Sequence, residues 1–257
     1  MTEQVTKHFE KMGARVKVRD TSHVPRWREP SPSYFTIDIL HDRRGEYFEI
    51  ARGEEAPEME VLQVLPSDRH LLLYSRDGQR LLCGHDERHW FVAAIGERVS
   101  TVGDAKRALV PKILRDIVGR VAPEVTNNRR NPVFKRQGEW FFVPVREKLK
   151  VPDVELHRNE PLQRGTGSKP HICEELYRRG GRQVHIVGGQ IVEEWVFLQR
   201  KRLDPKYGLG ARTMQANAKV YVRGHVRHSD HATIRLDGWH RVYINGEVSN
   251  GSVKFLD

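Results

Sequence analysis

Short apolar runs separated by turn signals recur from residue 35 to residue 95, and this rhythm constrains the fold more than any other feature of the chain. Phe35, Ile37 and Ile39 alternate with polar neighbours, HDRRG supplies a turn, and Tyr47 to Ala51 returns, as in a hairpin. Glu60 to Leu65 and His70 to Tyr74 flank PSDR, Arg76-Asp77-Gly78 turns the chain into Gln79 to Cys83, and Trp90 to Ile95 adds another apolar strand. The expected product is an antiparallel sheet of about five or six strands.

The pattern changes on either side of this block. Residues 3 to 12 suit a short helix, and Ser22 to Ser33, with Pro25, Pro30 and Pro32, reads as an extended linker. Thr101 can cap a helix from Val102 to Leu109, and Pro111 suits the first turn of a second helix ending before Gly119. A polar loop from Ala122 to Arg136 leads into the strand-like EWFFVPV, residues 139 to 145. Further on, a helix is expected from Pro170 to Arg179, stopped by Gly180-Gly181, then a strand at Val184 to Val187 and an antiparallel meander from Lys219 to Ile244. Hairpin turns dominate and regular β-α-β alternation is missing, so the fold class is α+β, mainly antiparallel, with a few short helices. Three regions follow: a mainly β part over 1–100, a helical and basic connection over 101–150, and an α+β part over 151–257, all of which one domain can contain.

Charge is segregated along the chain. Of the net +10, residues 1–103 supply none, with 15 Lys and Arg against 17 Asp and Glu; residues 104–150 carry 12 against 5, and residues 151–257 carry 17 against 12. A localised positive field favours a polyanionic partner, because phosphate neutralisation releases counterions. The first twenty residues carry charges throughout and no long apolar run occurs, so no secretory signal or membrane span is expected. Cys83 and Cys173 are the only cysteines and form no C-x-x-C pair, which fits a reduced, cytoplasmic protein and no membrane partner.

The C-terminal meander offers a face for such a partner. Val220, Val222 and Val226 alternate with Tyr221, Arg223, His225 and Arg227. A hairpin closed by Leu236-Asp237-Gly238 pairs Arg235 with Trp239, putting Ala232, Ile234, Val242 and Ile244 on the core side and Thr233, Arg235, Trp239, Arg241 and Tyr243 on the other. That basic and aromatic surface resembles RNA-recognition sheets in its chemistry, although the RNP-type aromatic motif is missing. Two basic loops extend it: Asn127-Asn128-Arg129-Arg130-Asn131 with Lys135, Arg136 and Trp140, and Arg200-Lys201-Arg202 with Lys206, Tyr207 and Arg212. Arg164 to Pro170 opens the expected helix with glycines and Lys169, a weaker phosphate site that a Ser168 cap explains equally well.

Two histidine sets give the chain an enzymatic alternative. His85, Asp86 and His89 crowd the connection between two strands, and His225, His228, Asp230, His231 and His240 gather in the meander. Such groups move protons near neutral pH or hold a divalent metal, as phosphodiester cleavage requires. His85 and His89 do not form the helical H-E-x-x-H of a zincin, and Asp230-His231 runs into strand-like residues where an HNH nuclease has a helix. The leading expectation is therefore an RNA- or single-stranded-DNA-binding protein. A nuclease-like phosphodiesterase is the first alternative, and a non-catalytic component of a ribonucleoprotein or protein assembly the second.

Overall fold

The computed structural model describes residues 2–20, 35–126, 128–163 and 169–247. The expected linker at Ser22 to Ser33, Asn127 and the segment Arg164 to Ser168 lie outside them. Helix α1 (Thr2–Lys11) buries Val5 and Phe9, one turn apart, and Met12 follows just past its end, as the period of a helix requires. Strands β1 (Val16–Asp20), β2 (Phe35–Asp42) and β3 (Gly45–Arg52) form a sheet in the order β1-β3-β2, with β1 parallel to β3 and β2–β3 the expected hairpin. Strands β4 (Met59–Leu65), β5 (His70–Ser75), β6 (Arg80–Asp86) and β7 (His89–Ile95) form a second sheet in sequence order, antiparallel throughout. The expected single sheet is thus two.

The reason lies in the apolar runs. Leu71-Leu72-Leu73 and Trp90 to Ile95 do not alternate with polar residues, because β5 to β7 are covered on both faces. Leu71, Leu73, Cys83 and Val92 pack against Phe48, Ile50 and Phe9 on one side. Leu72, Leu82, Phe91 and Ala93 meet Val102, Ala105 and Leu109 of α2 (Val102–Leu109) on the other. Helix α2 begins as expected, with the Thr101 hydroxyl accepting the Asp104 N–H at 3.0 Å. After Pro111 comes α3 (Lys112–Val118), then the single turn α4 (Pro123–Thr126).

Gly84 of β6 shows how tightly the second sheet is packed. A Cβ there would lie 2.5 Å from Cδ2 of His70 and 2.8 Å from Cε1 of the buried Phe91. Gly84→Ala is expected to lower stability by about 1–3 kcal/mol, seen as a shift of the urea midpoint. An unchanged midpoint would show that the His70 ring is free to leave its place.

The rest of the chain builds a six-stranded sheet and a small satellite. Strands β8 (Lys135–Gln137) and β9 (Trp140–Pro144) are followed by a 3-10 turn at Asp153–Glu155, then β10 (Leu156–Leu162) and β11 (His171–Arg179). Strands β12 (Arg182–Val187), β13 (Gln190–Glu193) and β14 (Arg212–Ala216) form the satellite sheet with helix α5 (Glu194–Leu203). Strands β15 (Lys219–Arg227) and β16 (Ile234–Ile244) complete the large sheet, whose order is β10-β11-β15-β16-β9-β8.

Four local expectations differ from the structure. Pro170 to Arg179 is not a helix: residues 171–179 are β11, paired with both β10 and β15. A bulge between Cys173 and Glu175 puts the buried Cys173 and Leu176 three residues apart, which mimics helical spacing. Leu236-Asp237-Gly238 does not close a hairpin either. Gly238 is left-handed (φ 121°), but it lies in a bulge of the continuous β16, and Arg235 pairs with His225 rather than with Trp239. The chain reverses instead between Arg227 and Ile234. Ile244, expected in the core, is 39% exposed. Finally, Arg200-Lys201-Arg202 is the last turn of α5, where cations oppose the helix dipole, and not a loop.

Among the described residues no helix is long and apolar enough to cross a membrane. Cys83 and Cys173 are buried free thiols in separate cores.

Candidate nucleic-acid interface

The turn between β6 and β7 and the polar loop after α4 meet on one side of the four-stranded sheet. Asn131 shapes that loop: its Oδ1 accepts the N–H groups of Val133 (2.9 Å) and Phe134 (3.0 Å), and its Nδ2 donates to the Asn128 carbonyl. Asn131, named above as part of a basic loop, is thus its turn-former. Arg136 N–H donates to the Arg129 carbonyl at 2.6 Å, closing the loop against β8.

Between this loop, α2 and the sheet lies a cleft of about 600 Å³. Its cations are Lys106 and Arg107 from α2, Arg129 and Arg130 from the loop, and Arg136 from β8. The buried rings of Phe91, Phe134 and Phe141 underlie it, Asp86 and Glu87 add two carboxylates, and His70 and His85 complete its sheet side. Lys106 reaches Asp68 at 3.2 Å, Arg107 pairs with Asp104, and Arg136 lies 5.4 Å from the Phe141 ring. Burial, reinforced by Lys106, holds the His70 imidazole down to about 4, so it is neutral at physiological pH.

Arg129 is an anchor rather than a free contact. Its guanidinium contacts the carboxylate of Asp86, only 9% exposed, and reaches Glu87 at 3.3 Å. Glu87 in turn accepts the Ala232 N–H at 3.0 Å. One chain of contacts therefore joins the loop, the β6–β7 turn and the β15–β16 turn.

The two expected histidine sets are partly dispersed. His85 stands edge-on to Trp90, at the cleft, with its pKa lowered by burial and by Arg69. His89 is held by Glu46 at 2.5 Å. His225 is exposed and bound to Glu174, whose carboxyl is lowered by the His225 backbone N–H and ring. His240 is buried, its Nδ1 2.9 Å from the Gly238 carbonyl, and burial lowers its pKa. His85 and His89 share a second cleft with His41 and Glu46, while His228 and His231 come together around His171, a residue hidden in the segment read as a helix.

In that cluster the ring centroids of His171 and His228 are 4.2 Å apart and those of His228 and His231 4.7 Å. Both ring nitrogens of His171 and of His231 are buried without a hydrogen-bond partner. Burial, and then the neighbouring histidines, hold His171 down to about 3; burial and His228 hold His231 at about 4. The Asp230 carboxylate takes Lys169 at 2.7 Å, so Lys169 is paired too, while the Asp230 backbone N–H donates to Nδ1 of His228 at 3.1 Å.

The meander face differs from its expected form. Tyr221 is buried and stacks on Tyr177 at 5.9 Å, and Trp140 belongs to the core of the large sheet. Tyr243 packs against the cluster of Val110, Leu114 and Phe141, and carries Arg241 over its ring at 4.8 Å. Arg223 is bonded to Glu175 at 2.5 Å and covers Trp239 at 4.8 Å, while Arg227 donates to Asn159 and Arg235 lies 3.3 Å from Asp237. Lys135 donates to the Arg235 carbonyl at 2.6 Å. Most of this surface is thus occupied by its own partners. Arg200, Lys201 and Arg202 are exposed on the satellite, with Arg200 donating to the Tyr207 hydroxyl.

Lys106, Arg107, His70 and His171 were missed by sequence reasoning. For His171 a signal existed, since His171 and Cys173 alternate with Ile172 as in a strand. Comparison with protein-family models, with curated proteins and with solved structures gave no match.

Proposed function

We propose that the chain binds single-stranded nucleic acid, RNA or DNA, with backbone phosphates in the cleft between α2, the Arg129–Phe134 loop and the four-stranded sheet. The observation that supports this reading is the convergence of Lys106, Arg107, Arg130 and Arg136, beside the anchored Arg129, on a cavity of about 600 Å³. Cations contact backbone phosphate whatever the base, as in sequence-tolerant sites. The volume lies within the range of ordinary ligand sites, so it takes a nucleotide or two rather than a duplex.

Fluorescence anisotropy with a labelled single-stranded oligonucleotide and its duplex, on protein freed of nucleic acid, tests the reading. Single-strand affinity should fall log-linearly with salt, with a slope of roughly 0.7 per phosphate neutralised, and exceed duplex affinity. No binding at low salt, or a preference for duplex, would overturn it.

A nuclease-like phosphodiesterase is a second reading, favoured by one observation: Glu87 and Arg129, at the cleft, lead directly to the turn that carries His228 and His231. Cleavage of the same oligonucleotide, lost with chelator, would establish it.

A further inference from the structure

We propose that His171, His228 and His231 form a binding site for one divalent transition-metal ion of the zinc class. Each offers one nitrogen, and these atoms all lie within 4.8 Å of one another. His171 is 1% and His231 3% exposed, yet their four ring nitrogens make no hydrogen bond. Buried polar atoms are almost always satisfied, so four orphans in one spot need a partner. The space beside them is kept open by a glycine. A Cβ on Gly138, which is left-handed at φ 55°, would stand 3.0 Å from Nε2 of His231 and 3.4 Å from Nε2 of His171. That is where an ion shared by the two imidazoles belongs.

The donor set selects the ion. Imidazole nitrogens suit zinc, copper, nickel or iron, whereas magnesium and calcium take oxygen ligands. Zinc–nitrogen bonds of about 2.0–2.1 Å in tetrahedral geometry bring donors to roughly 3.4 Å from one another. Binding therefore draws the rings inward by about an ångström and fans them out of the present stack, in which they lie 22° to 25° from parallel. The ion would tie the start of β11 to the turn between β15 and β16. Three protein ligands leave a fourth position open, as in reactive rather than purely structural zinc sites.

The test uses the full chain, without a histidine tag, stripped by chelator and titrated calorimetrically with Zn²⁺ and separately with Mg²⁺. One Zn²⁺ per chain and no Mg²⁺ binding are expected, with a rise in melting temperature when Zn²⁺ is present. His228→Ala should weaken Zn²⁺ binding by at least about 100-fold, and His157→Ala, on exposed β10, should leave it unchanged. Gly138→Ala, whose methyl group fills the space next to two of the donors, should also lose the site. Co²⁺ should give the visible absorption of a nitrogen-ligated ion in the wild type and not in His228→Ala. Absence of a stoichiometric Zn²⁺ site in the wild type, or wild-type affinity in a folded His228→Ala or Gly138→Ala protein, would overturn the assignment and leave the cluster as stacked neutral histidines.

Discussion

Arg129→Ala is expected to lower stability by about 3–5 kcal/mol, the cost of leaving a buried carboxylate without its cation. Asp86 is buried, and Arg129 is the cation in contact with it, while Glu87 depends on the same guanidinium and holds the backbone of Ala232. Removing Arg129 therefore loosens three segments at once. Urea unfolding of the variant measures the loss. The double variant Arg129→Ala with Asp86→Asn should recover part of it, because a neutral amide costs far less to bury than a lone carboxylate. A single-variant loss below about 1 kcal/mol would place the pair among the exposed ion pairs that contribute little.

Phe141→Ala should cost a similar amount, about 3–5 kcal/mol, by opening a cavity beneath the cleft. Phe141 is 1% exposed, meets Phe134 edge-on at 4.8 Å, and packs among Val110, Leu114 and Val118. It joins β9 of the large sheet to the helices of the neighbouring layer, so its loss reaches both. Phe141→Leu, which keeps most of the volume, should cost less. Equal unfolding midpoints for Phe141→Ala and the wild type would show that the layers are held together elsewhere.

Local elements were legible where one short-range signal governed them. Thr101 and Pro111 mark the starts of α2 and α3, and Gly119 caps the end of α3, because caps act through neighbouring backbone groups. The β2–β3 hairpin and β4 to β7 followed from turn residues and apolar runs. Bulges defeated the same reasoning. At Cys173–Glu175 an inserted residue broke the alternation, and at Leu236–Gly238 turn chemistry was spent on a bulge within one strand.

The candidate site was less legible because it is built from distance. Lys106, Arg130, Phe91 and His70 converge only after two sheets and a helix are in place, and no spacing in the chain encodes that. Basic residues around Arg129 could be named from charge alone. Their division into an anchor at Arg129, bound to Asp86, and the cleft lining at Arg130 and Arg136 depends on which carboxylates fold beside them. His171 shows the same limit, since its partners His228 and His231 lie more than fifty residues away in sequence.

The most direct test of single-strand binding in the cleft compares two double variants in one salt-titrated anisotropy experiment with a single-stranded oligonucleotide. Arg107→Ala with Arg130→Ala removes two cations from the cleft and spares Arg129, so the fold should hold. Arg223→Ala with Arg227→Ala removes two from the meander face, outside the cleft. The cleft variant should lose affinity and reduce the salt slope by roughly 0.7 for each phosphate contact removed, with the meander variant close to the wild type. Wild-type affinity and slope in a folded cleft variant, with the loss appearing in the meander variant, would contradict the account.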